Sequence, residues 1–130
     1  MPSQEELRKR GQELRRKIFG PPSPEKSPTA ILAPDLARIS DEVLMAQIWS
    51  RPGLELPQRS LITIAALTAL GREHELRAHI RGGINLGLTR EQIIETIMQM
   101  AFYAGQPAAH AGFRAAYAVF NEIDKAKGES

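Results

Sequence analysis

A chain of 130 residues, 42% of them hydrophobic, is the size of one domain and can bury a real core, although 5% aromatics leave Leu, Ile and Ala to fill it. The absence of cysteine excludes disulfides, thiol redox chemistry and thiolate metal sites, and agrees with a reducing cytoplasm. A formal net charge of only +2 makes no strong case for a nucleic-acid partner.

The N-terminal MPSQEELRKRGQELRRK is charged and lacks the apolar stretch of a leader peptide. Ser3-Gln4-Glu5-Glu6 fits a capping box, which predicts a helix running to about Phe19. Leu7, Leu14, Ile18 and Phe19 make a thin apolar stripe on it. Arg8, Lys9, Arg10, Arg15, Arg16 and Lys17 have the look of a nucleic-acid arm, but they better suit a solvated helix face docked on a neighbour, and we read them so. The prolines of Gly20 to Pro28 forbid regular hydrogen bonding and predict a loop.

Pro34 to Trp49 reads as a helix broken near Ser40, where Asp41 and Glu42 suit a fresh N-terminus. Leu36, Ile39, Val43, Leu44 and Ile48 are expected to face inward. Pro52-Gly53 makes a turn. A helix over 60–70 is apolar nearly all round, so it should be buried by its neighbours or by another subunit. It is far short of the ~18 apolar residues of a membrane span. Gly71 ends it. The next helix, 72–86, places Leu76, Ile80, Gly83 and Ile84 on one apolar arc, with His79 inside the arc and Glu75 at its edge. Gly82-Gly83 within it permits close helix packing. Thr89-Arg90-Glu91-Gln92 is a second capping box. Ile93, Ile94, Ile97, Met100, Ala101 and Ala104 form the core stripe that follows, and Met98 and Phe102 widen it. Gly105 suits a left-handed cap, and Pro107 opens the last helix. That helix carries Phe113, Ala116, Tyr117, Phe120 and Ile123 at helical spacing and fades into DKAKGES. No strand-like alternation occurs, so the expected fold is all-α, about six helices in a single domain over 1–130.

Four groups of residues could carry chemistry. His74 and His79 are five apart and diverge by roughly 140°, which does not fit a metal-binding helix; no metal site is expected. Glu75 and His79, at i and i+4, share a face, and a carboxylate there can orient an imidazole as a proton shuttle. The bland alternative is a core-edge histidine satisfied by its neighbour. Arg51 and Arg59 flank a Pro-containing loop beside Trp49 and could grip a small dianion, or serve as surface salt bridges. Tyr103 and His110 bracket a helix-to-helix turn and could line a pocket. Apolar surface on 61–70 and on Met98–Phe102 exceeds what six helices cover, which predicts a homo-oligomer.

The fragments IWSRPGL (48–54), RSL (59–61), ALGREHEL (69–76), His79, GLTREQIIE (87–95) and YAGQPAA (103–109) together resemble the carboxymuconolactone decarboxylase family. The resemblance implies an alkylhydroperoxidase D-like all-α fold, assembled as trimers or hexamers. The redox branch of that fold carries Cys-x-x-Cys followed by a histidine; His79 matches that histidine, but Arg72 and Glu75 stand at the thiol positions, which excludes thiol peroxidase chemistry. The implied activity is that of a carboxy-lyase acting on an anionic lactone without any cofactor, with His79 as proton donor steered by Glu75. Arg51 and Arg59 would then be carboxylate or oxyanion partners, and Trp49, Tyr103 and His110 pocket walls. A relative acting on another lactone as isomerase or hydrolase, or a non-catalytic oligomer, are the alternatives. No nucleic-acid or membrane partner is implied.

Overall fold

The structure is a computed structural model, and it describes residues 1–128. All regular structure among them is helical: α1 (Gln4–Phe19), α2 (Pro28–Leu32), α3 (Pro34–Ile39), a π-helical segment (Ser40–Trp49), α4 (Leu56–Leu70), α5 (Glu73–Asn85), α6 (Arg90–Tyr103) and α7 (Gln106–Gly128). The all-α expectation therefore holds. The chain divides into two compact units, Met1–Leu56 and Pro57–Ser130, each described by itself.

In the first unit, α1 lies against the π-helical segment. Ser3 caps α1 by accepting the Glu6 amide, as its sequence pattern predicts. Gly11 lets the two backbones meet: a Cβ at Gly11 would stand 1.9 Å from the Asp41 carbonyl oxygen. Arg15 Nε donates to Asp41 Oδ1 at 2.8 Å. Arg8 and Arg38 lie 3.6 and 3.7 Å from Oε1 of the buried Glu42. Two of the six basic residues of that helix face, Arg8 and Arg15, are thus used to hold α1 in place.

Three expectations need correction here. The stretch after the loop begins earlier than Pro34, with the short α2 capped by Ser27. No break occurs near Ser40: Ile39 and Ser40 both keep right-handed helical dihedrals, no side chain caps a new start there, and the turns simply widen to the π form, an uncommon geometry for so many residues. The inward face changes with it. Glu42, Met45 and Trp49 are buried, whereas Leu36, Ile39, Val43, Leu44 and Ile48 are each 42–55% exposed. The physical reason is the partner: α1 covers the side bearing Asp41 and Glu42, and its Gly11 and arginines fit that side alone.

The second unit holds the main core, built from Ile64 of α4, Leu76 and Ile80 of α5, Leu88 of the turn that follows, Ile93 and Ile97 of α6, and Ala109, Ala115, Ala116 and Val119 of α7. Thr89 completes both halves of its capping box with Gln92. Gly71, Gly87 and Gly105 all take positive φ, the left-handed conformation that lets each helix end sharply. Gly83 packs α5 against α4, since a Cβ there would stand 2.9 Å from Ser60 Oγ and 3.4 Å from Ile64 Cδ1. The expectation of a fully wrapped α4 is not met within this chain: Ile62 and Leu70 are 56% and 69% exposed.

Candidate active site

The second unit carries the histidine that the helical arc singles out. His79 lies on α5 one turn before Gly83, so it shares the face that packs on α4. It is half-buried and its Nδ1 is shut off from solvent. His74 is exposed, as expected from its place on the wet face. Glu75 is also exposed, and its carboxylate makes no hydrogen bond or ion pair with any described residue. Steering of His79 by Glu75 therefore has no contact behind it in this chain.

On α4, Arg59 is half-buried with its Nε out of solvent, and its carbonyl accepts from Thr63 at 2.9 Å. Beside it Ser60 is 1% exposed, and its Oγ has no hydrogen-bond partner among the described residues. Thr63 and Thr68 on the same helix both bond back to the carbonyl four residues earlier. Ser60 is thus the exception among the hydroxyls of α4. Reading from sequence passed over it, because a lone serine at a helix start has no distinguishing spacing.

His110 lines a shallow concavity of about 470 Å³ on α7, with Phe113, Arg114 and Tyr117. Arg114 there is paired with Glu73 at 3.2 Å. Tyr103 does not line that concavity and is 81% exposed.

In the first unit, Trp49 and Arg51 are brought together. They line a concavity of about 400 Å³ with Leu14, Ser50, Leu54 and Glu55. Trp49 is 7% exposed, so its ring forms part of the unit's interior, while Arg51 is exposed at the rim. The turn at Pro52 sends Arg51 out of the π-helical segment beside the ring; the Ser50 hydroxyl donates to the Ala46 carbonyl there. An aromatic wall with a guanidinium beside it can take a flat, carboxylate-bearing molecule. Leu14 and Ser50 were not foreseen. Their contribution depends on where α1 docks, which local periodicity does not encode.

No group of three or more His, Asp or Glu side chains able to hold a metal ion occurs among the described residues. No helix among them is long and apolar enough to cross a membrane.

Comparison with known proteins gives a family match and three similar proteins. The model of the carboxymuconolactone decarboxylase family matches residues 34–118, which takes in every site residue named above except Leu14. The 4-carboxymuconolactone decarboxylase of Acinetobacter baylyi is 37% identical over 121 residues, 92% of this chain and 90% of that protein. A nitrosuccinic acid decarboxylase of Metarhizium robertsii is 41% identical over 61 residues, 47% of this chain and 43% of that protein. An uncharacterized 15.0 kDa protein of Paracoccus denitrificans is 33% identical over 96 residues, 72% of each chain.

Proposed function

Because the chain belongs to the carboxymuconolactone decarboxylase family, we propose that it is a carboxy-lyase that releases CO2 from 4-carboxymuconolactone to give the β-ketoadipate enol-lactone, in the cytoplasmic breakdown of protocatechuate and related aromatic acids. The observation that carries this reading is likeness along nearly the whole chain to a decarboxylase named for that substrate. The family match runs across Leu56–Pro57, which supports reading the chain as one functional domain.

The chemistry needs no cofactor. The substrate is a butenolide whose γ carbon bears a carboxylate and a carboxymethyl arm. When the bond to the carboxylate breaks, CO2 leaves and the electron pair spreads through the ring alkene into the lactone carbonyl. A proton then adds to the ring carbon next to that carbonyl, and the enol-lactone results. The protein must orient the ring, meet the charge on the lactone oxygen and deliver the proton.

His79 is the proton donor in this reading, supported by its half-buried position on the packed face of α5. Arg59 meets a carboxylate or the oxyanion, and Arg51 binds a carboxylate beside Trp49. Glu75, His110 and Tyr103 have weaker support: the first makes no hydrogen bond or ion pair with the imidazole, and the other two do not share a concavity. The working form is a homo-oligomer, trimer or hexamer, supported by the apolar surface left open on both units.

The test is CO2 release and ring absorbance with purified protein and a panel of lactones. Release from 4-carboxymuconolactone is expected. Ring change without CO2 would make the protein an isomerase or hydrolase, and silence across the panel would count against catalysis. His79→Asn should lower kcat by about 10²- to 10⁴-fold, the range for loss of a general acid. Near-normal turnover in that variant removes His79 from the mechanism.

A further inference from the structure

The concavity beside Trp49 adjoins a second one of about 380 Å³, and the two share Leu14 and Ser50. The second is lined by Arg10, Glu13, Leu14 and Lys17 of α1 and by Ala46 and Ser50. Positions 10, 13, 14 and 17 recur at i, i+3, i+4 and i+7, so they form one stripe of α1. Arg8, Gly11, Arg15 and Ile18 form another, and its two arginines are spent on Glu42 and Asp41. The cations of the first stripe are not spent. Arg10 and Lys17 make no hydrogen bond or ion pair with any described residue. Across both recesses Arg10, Lys17 and Arg51 face two acids, Glu13 and Glu55, so positive charge is in excess.

Unpaired cations next to an aromatic-walled recess complement a small molecule that is apolar at one end and anionic at the other. We propose that Arg10 and Lys17 bind the retained carboxymethyl carboxylate of the lactone, with its ring in the recess of Trp49 and Arg51; this rests on the decarboxylase reading. The family match begins at residue 34, so α1 and this contact belong to the part of the chain outside it. The arm carboxylate is present before and after CO2 is lost. Its contact therefore stabilises substrate and transition state alike, which sets KM and leaves kcat alone.

The experiment compares wild type with the double variant Arg10→Met, Lys17→Met. Two substrates are used: 4-carboxymuconolactone and an analogue whose carboxymethyl arm is replaced by methyl. The double variant should raise KM for the first about tenfold, as for the loss of a charge-assisted contact, with kcat kept. KM for the methyl analogue should not move. Equal change for both substrates, or none for either, overturns the proposal. Titration calorimetry with succinate, and with acetate as its singly charged control, reads the same site without turnover. Succinate binding weakened in the double variant supports the anion site even if wild type releases no CO2, a result that would sink the decarboxylase reading alone. Succinate binding equally to both proteins sinks the site. Unchanged circular dichroism and mass of the variant, expected for two exposed and unpaired side chains, keep either result interpretable.

Discussion

A methyl group added at Gly11 points at main chain, at Gly112 toward two branched side chains, and at Gly83 toward the movable ends of others. At Gly11 the new carbon would stand 1.9 Å from the Asp41 carbonyl oxygen. At Gly112 it would stand 2.8 Å from Ile97 Cγ2 and 3.1 Å from Thr68 Cγ2. At Gly83 it meets Leu88 Cδ1 at 2.7 Å and Ser60 Oγ at 2.9 Å. Alanine in a helix gains about 1 kcal/mol over glycine, while overpacking costs about 1–3 kcal/mol. Branched side chains are stiff at χ1 and yield less than a leucine end. We therefore expect Gly11→Ala to be the most destabilising by about 2 kcal/mol or more, Gly112→Ala intermediate, and Gly83→Ala near neutral. Urea midpoints at constant slope measure the order, and Gly83→Ala as the worst of the three would contradict it. At this scale much was legible. The caps at Ser3 and Thr89 and the turns at Gly71, Gly87 and Gly105 rest on contacts within a few residues. The closeness at Gly11 and the solitary Ser60 hydroxyl depend on partners far along the chain.

Between elements, the ends of α6 and α7 are tied by charge. Arg90, in the first turn of α6, reaches both oxygens of Asp124 near the end of α7, at 2.6 and 3.2 Å. Its guanidinium also stands 4.8 Å from the centre of the Phe120 ring. The hydrogen bonds from Arg90, and then its charge, hold the Asp124 carboxyl below the usual carboxylate range. A carboxyl lowered on folding adds stability above its ordinary value of about 3.9, and that contribution is lost as pH falls through the lowered value. Asp124→Asn should therefore lose less stability than wild type between about pH 5 and pH 2, by a modest amount because the pair is exposed. Parallel losses in denaturant titrations at the two pH values would show the tie to be silent. The element scale is also where reading failed most. A 3.6-residue period cannot register the wider turns of Ser40–Trp49, so three apolar residues there, Val43, Leu44 and Ile48, were turned to the wrong side. The acids at Asp41 and Glu42 suggested a fresh helix start, but they pair with Arg15, Arg8 and Arg38 while the helix continues unbroken through Ser40.

For the molecule as a whole, the open apolar surface is the dominant fact. Leu32 is 84% exposed, Phe102 85%, Tyr103 81% and Tyr117 71%. Soluble chains seldom leave so many large apolar groups in water. Light scattering at micromolar concentration should give a mass that is a multiple of 14.4 kDa, and Phe102→Glu should reduce it. A single-chain mass for wild type would defeat the oligomer. The all-α class and the histidine of α5 could be foreseen because periodicity reports which side of a helix is dry. The grouping of Leu14 with Trp49 and Arg51 could not, since it joins the start of the chain to residues 35 or more positions later.

The meeting of α1 with Asp41 has a further consequence. One side of that contact is a glycine, and the other is a peptide carbonyl that every amino acid possesses. Position 11 is thus constrained alone, with no second position obliged to change in step with it. A method that finds neighbours by paired substitutions would pass over the closest approach between these two segments, although it would register the charged pairs on either side.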